Sequence, residues 1–359
     1  MSVRQVEIKE KNVKVNTAVE WYQKNRDFYK RLALKVELII KEILEDCKIP
    51  FHDVTSRAKD IESFAEKAAK DKYVNPISEI LDMAGIRITA YVESDVNKIC
   101  EVIEREFNII PEHSVNKSEI LKYNEVGYRS VHYVAKLNDT RANLPEYRRL
   151  GAPFEIQVRT ILQHAWAEIE HDRGYKFEGA ELPEHAQIKR RFALLAGMLE
   201  SADREFDSIV KDIAQYGMQV TEDTKNGNLD IPIDSISLIN YLTNKFEHSS
   251  KYIEDYLGSD SGLLVHELLD FGMKKLSDLD SEINKVDIME VARQNELMFN
   301  EKLTFTAILR LLMLQVDANK YFDKVYRETW TATEDSRIVE FIEKNGVSRE
   351  ELKKRQVIA

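Results

Sequence analysis

The segment "FEIQVRT" (154–160) alternates apolar and polar positions, Phe154, Ile156 and Val158 against Glu155, Gln157 and Arg159. A period of two marks a strand with one buried face. "GIRITAYV" (85–92) repeats it, with Ile86, Ile88, Ala90 and Val92 on one face and Arg87, Thr89 and Tyr91 on the other; "YRSVHYVAKL" (128–137) reads as a third strand. Helical spacing separates them. Residues 14–48 read as a long amphipathic helix, with apolar residues recurring through Trp21, Phe28, Leu32, Leu34, Val36, Ile39 and Ile43. Thr17 with Glu20 matches a capping box at its start, and Pro50 ends it. Further helices are expected at about 56–72 and over 95–107. Helices alternating with strands up to about residue 176 predict an α/β or α+β unit.

Beyond residue 185 the pattern is helical. "EHAQIKRRFALLAGMLESADREFDSIVKDIAQYG" carries no break, and residues 234–256, 262–277, 279–300, 302–328 and 335–355 read as helices. In the last, Gly346 is a C-cap and Ser348 with Glu351 a capping box, which makes a helical hairpin. The segment 217–233, "GMQVTEDTKNGNLDIPI", is polar with Gly, Asn and Pro, and is the linker candidate. The expected division is a catalytic-looking unit over 14–185, a bridging helix over 186–216, and a helical C-terminal region over 234–359 with a regulatory or oligomerisation role.

Composition narrows the class. Over 359 residues, 43% hydrophobic and 32% charged are values of a soluble globular protein. "AILRLLMLQV" (307–316) is broken by Arg310 and too short to span a bilayer, and the N-terminus has no apolar signal segment. Cys47 and Cys100 supply neither a disulfide framework nor a zinc finger. A cytoplasmic location and no membrane partner are expected. The net charge of −11 argues against a general nucleic-acid coat. Basic residues nevertheless gather at Arg57, Lys59, Lys67, Lys70 and Lys72, while about 222–300 is acidic. A small polyanion held at the basic segment fits this distribution.

There is no G-x-x-x-x-G-K-[ST], no G-x-G-x-x-G after a strand and no G-x-S-x-G. A nucleotide here must be held by side chains. On a helix over 56–72, Arg57 with Lys67 and Lys59 with Lys70 would share a face, either as a phosphate clamp or as a solvated basic surface. Asp82 precedes the strand from which Arg87 projects. Tyr128, Ser130 and His132 share one face of their strand, and Gly127 permits close approach; the aromatic ring either packs or stacks a base. Glu155, Gln157 and Arg159 either form the wet face of an edge strand or line a cleft. In the second case Asp82 and Glu155 supply the carboxylate pair that Mg²⁺ takes alongside phosphate oxygens. His164, Glu168 and His171 stand at i, i+4 and i+7, but this is not H-E-x-x-H and no third strong ligand is evident nearby, so a zinc site is set aside.

Four pieces in register resemble the synthetase domain of the RelA/SpoT family. They are R-x-K-x-x-x-S-x-x-x-K at Arg57, Lys59, Ser63 and Lys67; D-x-x-G-I-R at Asp82 to Arg87; G-Y-R-S-x-H at Gly127 to His132; and E-I-Q-V-R-T with W-A-E-x-E-H and Y-K, from Glu155 to Lys176. The resemblance covers about residues 40–180. It implies an α+β fold, with a mixed, nucleotidyltransferase-like β-sheet flanked by helices and an all-helical region after it. It implies Mg²⁺-dependent transfer of pyrophosphate from ATP to the ribose 3′-hydroxyl of GDP or GTP, giving a (p)ppGpp-type alarmone. By position, Arg57 and Arg87 would sandwich the adenine, and Lys59 and Lys67 would hold the ATP phosphates. Asp82 and Glu155 would bind Mg²⁺, Glu155 also assisting deprotonation of the 3′-hydroxyl. Tyr128 would stack on the acceptor base, and Gln157, Arg159 and His132 would position acceptor or phosphate.

The acceptor loop departs from the family pattern lysine–proline–asparagine–glycine–tyrosine, reading Asn124, Glu125, Val126, Gly127, Tyr128. Positive charge is lost there. Two further expectations follow: a toxin-type pyrophosphokinase acting on the tRNA 3′ end or on adenine nucleotides, and a non-catalytic nucleotide sensor. A homo-oligomer is also expected, because small synthetases of this family often assemble.

Overall fold

The computed structural model describes residues 3–116, 130–174, 183–247, 251–254, 261–299, 302–328 and 330–358. Two compact units divide the chain, Met1–Ile209 and Val210–Ala359.

The first unit runs α1 (Val3–Asp46), β1 (Asp53–Ala58), α2 (Ile61–Ala68), α3 (Pro76–Glu79), β2 (Ala84–Ala90), α4 (Glu93–Glu106), β3 (Phe107–Ile109), β4 (Val115–Asn116), β5 (Val131–Leu137), α5 (Asp139–Ala142), β6 (Phe154–Thr160) and α6 (Ile161–Gly174). A long helix, α7 (Pro183–Lys225), begins here and contains the division between the units. The sheet has the order β1-β2-β6-β5-β3, with β4 on another stretch of β5. It is mixed, with β2–β6 parallel and β1–β2, β5–β6, β3–β5 and β4–β5 antiparallel. The expected α+β class, with a mixed sheet and flanking helices, is the one observed.

Helix α1 packs on β1, α2 and β2. Its inner stripe places Tyr22, Leu32, Val36, Ile40 and Leu44 in the core, each at most 1% exposed. At about 1.5–3 kcal/mol per fully buried aliphatic side chain, this stripe makes α1 a wall of the core. The expected stripe differs in detail, since Leu34 is 53% exposed. The capping box at Thr17 is also corrected. The helix begins fourteen residues earlier, at Val3, and Thr17 is inside it, donating its hydroxyl to the Val13 carbonyl.

The helix expected over 56–72 is two elements. Residues 53–58 are a strand whose only buried positions are Val54 and Ala58, and α2 starts at Ile61. β1 is an edge strand with a polar outer face, so its sequence lacks the apolar alternation that marks an inner strand. Arg57 and Lys67 therefore share no helix face, because Arg57 belongs to β1, and neither do Lys59 and Lys70, which lie before and after α2. β3 and β4 are too short to show a period. The linker candidate 217–233 is helical through Lys225.

Within the first unit, α7 docks through two acids. Asp203 Oδ2 accepts from the Thr160 hydroxyl at 2.8 Å, and Asp207 Oδ1 from the Ser94 amide at 2.9 Å. The second unit continues with α8 (Ser235–Lys245), β7 (Ile253–Glu254), α9 (Ser261–Asp270), α10 (Leu276–Ile283), α11 (Ile288–Phe299), β8 (Leu303–Thr304), α12 (Phe305–Lys320) with a π-helical turn after it, α13 (Arg337–Lys344) and α14 (Arg349–Lys354). Besides its helices it contains a parallel pair of two-residue strands, β7–β8. Its core includes Leu238, Leu268, Phe305, Leu309 and Leu352. Arg310, which interrupts the apolar run of α12, pairs with buried Glu267 through two hydrogen bonds of 2.9 and 2.7 Å. Gly346 has φ +91° between α13 and α14, a left-handed position that glycine adopts without strain. No helix among the described residues is long and apolar enough to cross a membrane.

Candidate active site

The sheet's register builds the site. Across β1, β2 and β6, Arg57 pairs with Gly85 and Gly85 with Glu155; one step along, Thr55 pairs with Arg87, Arg87 with Gln157, and Gln157 with His132 of β5. Cross-strand partners project to the same face. Two polar rows therefore lie side by side, and Gly85 leaves the middle of the first row without a side chain. Above them is a cavity of about 460 Å³ lined by Thr55, Ser56, Arg57, Lys59, Asp82, Gly85, Ile86, Arg87, Glu155 and Gln157. Asp82 and Glu155, from different segments, thus face one space.

Asp82 is held between two lysines. Its Oδ2 lies 2.8 Å from Lys59 Nζ and 2.7 Å from Lys67 Nζ. Burial pushes its pKa up, and the two ammonium groups more than offset this, leaving it below the ordinary carboxylate value. Lys67 is correspondingly raised: burial acts to lower it, and Asp82 outweighs burial. Lys59 is fixed from behind. Its amide donates to the Met83 carbonyl, and its carbonyl accepts from the Tyr22 hydroxyl at 2.7 Å and from Arg26 Nε at 3.2 Å.

Glu155 is held from two sides. His132 Nδ1 lies 3.0 Å from Oε1, and Gln157 Nε2 donates to Oε2 at 2.9 Å. Burial raises its pKa, while His132 and Gln157 bring it below the ordinary value against the opposing charge of Asp82. Both carboxylates are thus ionised at neutral pH. An ionised carboxylate only accepts, so His132 donates from Nδ1, and its Nε2 lies 2.7 Å from the hydroxyl of buried Ser130.

Arg87 and Arg159 meet elsewhere on the same face. Arg87 Nη1 is 2.9 Å, and Arg159 Nη2 3.2 Å, from Oε1 of Glu168 on α6. Arg159 also contacts His164 Nδ1. His164 and Glu168, weighed above as zinc ligands, face these arginines. Burial lowers the pKa of His164, and Arg159 and Arg87 lower it further.

The structure therefore brings Arg57, Lys59, Asp82, Arg87, Glu155 and Gln157 around one cavity, with Lys67 on Asp82, His132 on Glu155 and Arg159 linked through Glu168. Tyr128, with Asn124 to Gly127 and Tyr175 and Lys176, lies outside the described residues. The sequence reading missed Tyr22, Arg26 and Glu37, the last accepting from cavity-lining Ser56 at 2.6 Å. These sit on one helix far from every motif, and no periodic signal distinguishes them.

The donor set suits Mg²⁺. That ion takes one or two carboxylates and completes its shell with water and phosphate oxygens. Asp82 Oδ1 is buried and has no hydrogen-bond partner among the described residues, an arrangement suited to a metal–oxygen bond. Among the described residues no group of three or more His, Cys, Asp or Glu side chains forms a self-contained metal site.

Part of the chain is similar to known proteins. Residues 56–180 match the family model described as "Region found in RelA / SpoT proteins". The GTP pyrophosphokinase YjbM of Bacillus subtilis (strain 168) is 29% identical over 174 residues, 48% of this chain and 77% of that protein. A second from the same organism, GTP pyrophosphokinase YwaC, is 29% identical over 150 residues, 39% of this chain and 69% of the relative. Among solved structures, a GTP pyrophosphokinase family protein from Streptococcus pneumoniae superposes with a TM-score of 0.45 at 27% identity, covering 55% of this chain and 96% of that one. Over residues 56–180, about a third of its length, the chain is thus similar to the RelA/SpoT proteins, and the four sequence motifs fall in or beside that segment.

Proposed function

We propose that the cavity transfers a pyrophosphoryl group from ATP to the 3′-hydroxyl of a guanine nucleotide. The observation that carries this reading is the convergence of Asp82 and Glu155 on one cavity walled by Arg57, Lys59 and Arg87. The curated relatives are named GTP pyrophosphokinases, which supports the reaction class.

In this reading the 3′-oxygen of the acceptor attacks the β-phosphorus of ATP. The bond from that phosphorus to the bridging α-phosphate oxygen breaks. AMP leaves, the acceptor gains a 3′-pyrophosphate, and the hydroxyl proton passes to the Glu155 carboxylate. His132 and Gln157 hold that carboxylate in place. Lys59 and Lys67 turn from Asp82 to the phosphates, and Arg57 and Arg87 flank the adenine. Asp82 and Glu155 would hold Mg²⁺, which supplies charge neutralisation at the phosphate oxygens. Such transfer depends on positioning and electrostatics more than on covalent catalysis.

The test is to incubate the purified full chain with ATP, Mg²⁺ and GDP or GTP, and to resolve the nucleotides. AMP and a guanine nucleotide heavier by one pyrophosphate are expected in equal amounts. ATP left intact, or AMP formed without an acceptor product, contradicts the proposal. Pyrophosphorylation of tRNA or of an adenine nucleotide in place of GDP would retain the reaction and change the acceptor.

A further inference from the structure

Arg87 and Arg159 stand on adjacent parallel strands. Arg87 pairs with Gln157, and Arg159 is two residues beyond Gln157, so both side chains rise from the same face one step apart. Two guanidinium groups so placed repel each other. Arg159 is also 3% exposed, and a buried charge is costly without a counter-charge. Glu168 supplies one. A single oxygen, Oε1, lies 2.9 Å from Arg87 Nη1 and 3.2 Å from Arg159 Nη2. Burial acts to raise the pKa of Glu168, and the two arginines more than reverse this, so the carboxylate is ionised at neutral pH.

Packing does not explain this contact. The Glu168 side chain is 55% exposed on the outer part of α6 and contributes nothing to the apolar core. We propose that Glu168 is a positioning residue that ties Arg87 to Arg159, and thereby joins the donor and acceptor halves of the nucleotide cleft. This rests on the reading above, in which Arg87 serves ATP, and on the family resemblance, by which Arg159 positions acceptor or phosphate. One carboxylate oxygen shared by both guanidinium groups fixes their separation, and each half of the site is then built partly through the other. A glutamine in its place keeps the shape and one oxygen but loses the charge that holds the two cations together.

The experiment is steady-state kinetics and calorimetric ATP binding on the full chain, wild type and E168Q. E168Q is expected to raise KM for ATP and for GDP each about fivefold, the scale of a charge-assisted contact at a partly exposed site. The turnover number should change less than twofold, and the melting temperature should fall slightly, because buried Arg159 loses its counter-charge while glutamine keeps an accepting oxygen. In an R87Q background, E168Q should no longer affect ATP binding, because the partner it positions is gone. Unchanged KM values, a loss confined to turnover, or the full E168Q effect persisting beside R87Q would overturn the proposal. Product from wild type with unchanged E168Q kinetics removes Glu168's role and leaves the pyrophosphokinase reading intact. ATP binding without product removes the pyrophosphokinase reading, and the calorimetric comparison still decides the Arg87 half. A wild type that binds no ATP removes both.

Discussion

Nδ1 of His132 lies 3.0 Å from Oε1 of Glu155, and the two residues belong to neighbouring antiparallel strands, one register step apart. With Gln157 on the other oxygen, the carboxylate is fixed in orientation and kept ionised. A general base must be held in reach of its proton before its basicity matters.

Glu155→Gln should therefore lower turnover by about 100-fold or more, the usual contribution of a positioned base, with little change in KM for ATP. The Glu155 pKa is held below its ordinary 4.5, so its ionised form persists as pH falls to that value. The wild-type rate should show no acid limb from this group between pH 8 and about 5. An initial-rate pH profile of both proteins checks this; full activity in the glutamine variant would exclude the role.

Asp82 pairs with both Lys59 and Lys67 through one oxygen. Asp82→Asn should abolish Mg²⁺-dependent transfer, because the unpartnered Oδ1 would no longer belong to a carboxylate. It should also leave both lysines free for phosphate, so Mg²⁺-free ATP should bind at least as tightly as to wild type. Titration calorimetry with and without Mg²⁺ separates these effects. Weaker Mg²⁺-free binding would show that Asp82 serves chiefly to place the lysines.

Asp203 offers a pH test of how α7 docks on the first unit. It is 3% exposed, and burial pushes its pKa from 3.8 to about 6, against the opposing Thr160 hydrogen bond. A carboxyl with a raised folded pKa stabilises the fold fully below 3.8, and that contribution is lost as pH rises through about 6. The span corresponds to about 3 kcal/mol. Asp203→Asn keeps an acceptor for Thr160 and does not ionise. Its stability relative to wild type should rise by about that amount between pH 4 and pH 7. Denaturant unfolding at the two pH values measures it; a pH-independent difference would contradict the docking account.

Much of this site was legible because β2 and β6 are inner strands. Their buried faces force strict alternation, and alternation isolates Arg87, Glu155, Gln157 and Arg159 as the polar face. β1 was not legible. An edge strand with polar outer positions gives no period, so the sequence suggests a helix at Arg57 where the fold has a strand. The residues still converge, because β1 pairs with β2 and brings Arg57 opposite Gly85. The support from Tyr22, Arg26 and Glu37 is purely tertiary, as is the bridge from Glu168. In the second unit, Arg310 was visible only as a break in an apolar run. Its partner Glu267 is 43 residues away, and no local pattern links them.

That pair carries its own prediction. Glu267 is 4% exposed and Arg310 binds it through two nitrogens. Glu267→Ala removes both hydrogen bonds from a partly buried guanidinium and should cost about 1–3 kcal/mol. Replacing both residues by apolar ones of similar size should recover most of the loss. Thermal unfolding of the single and double variants decides it, and an equal loss in both would mean that packing, not charge, is at stake.

If the cavity transfers pyrophosphate, the β- and γ-phosphates of ATP move together to the acceptor. Parallel reactions with β-labelled and γ-labelled ATP measure this directly, when the acceptor is isolated and its label counted. Equal transfer of both labels, absent in Glu155→Gln, is the predicted result. Transfer of the γ label alone, or release of free phosphate with no labelled acceptor, would contradict it.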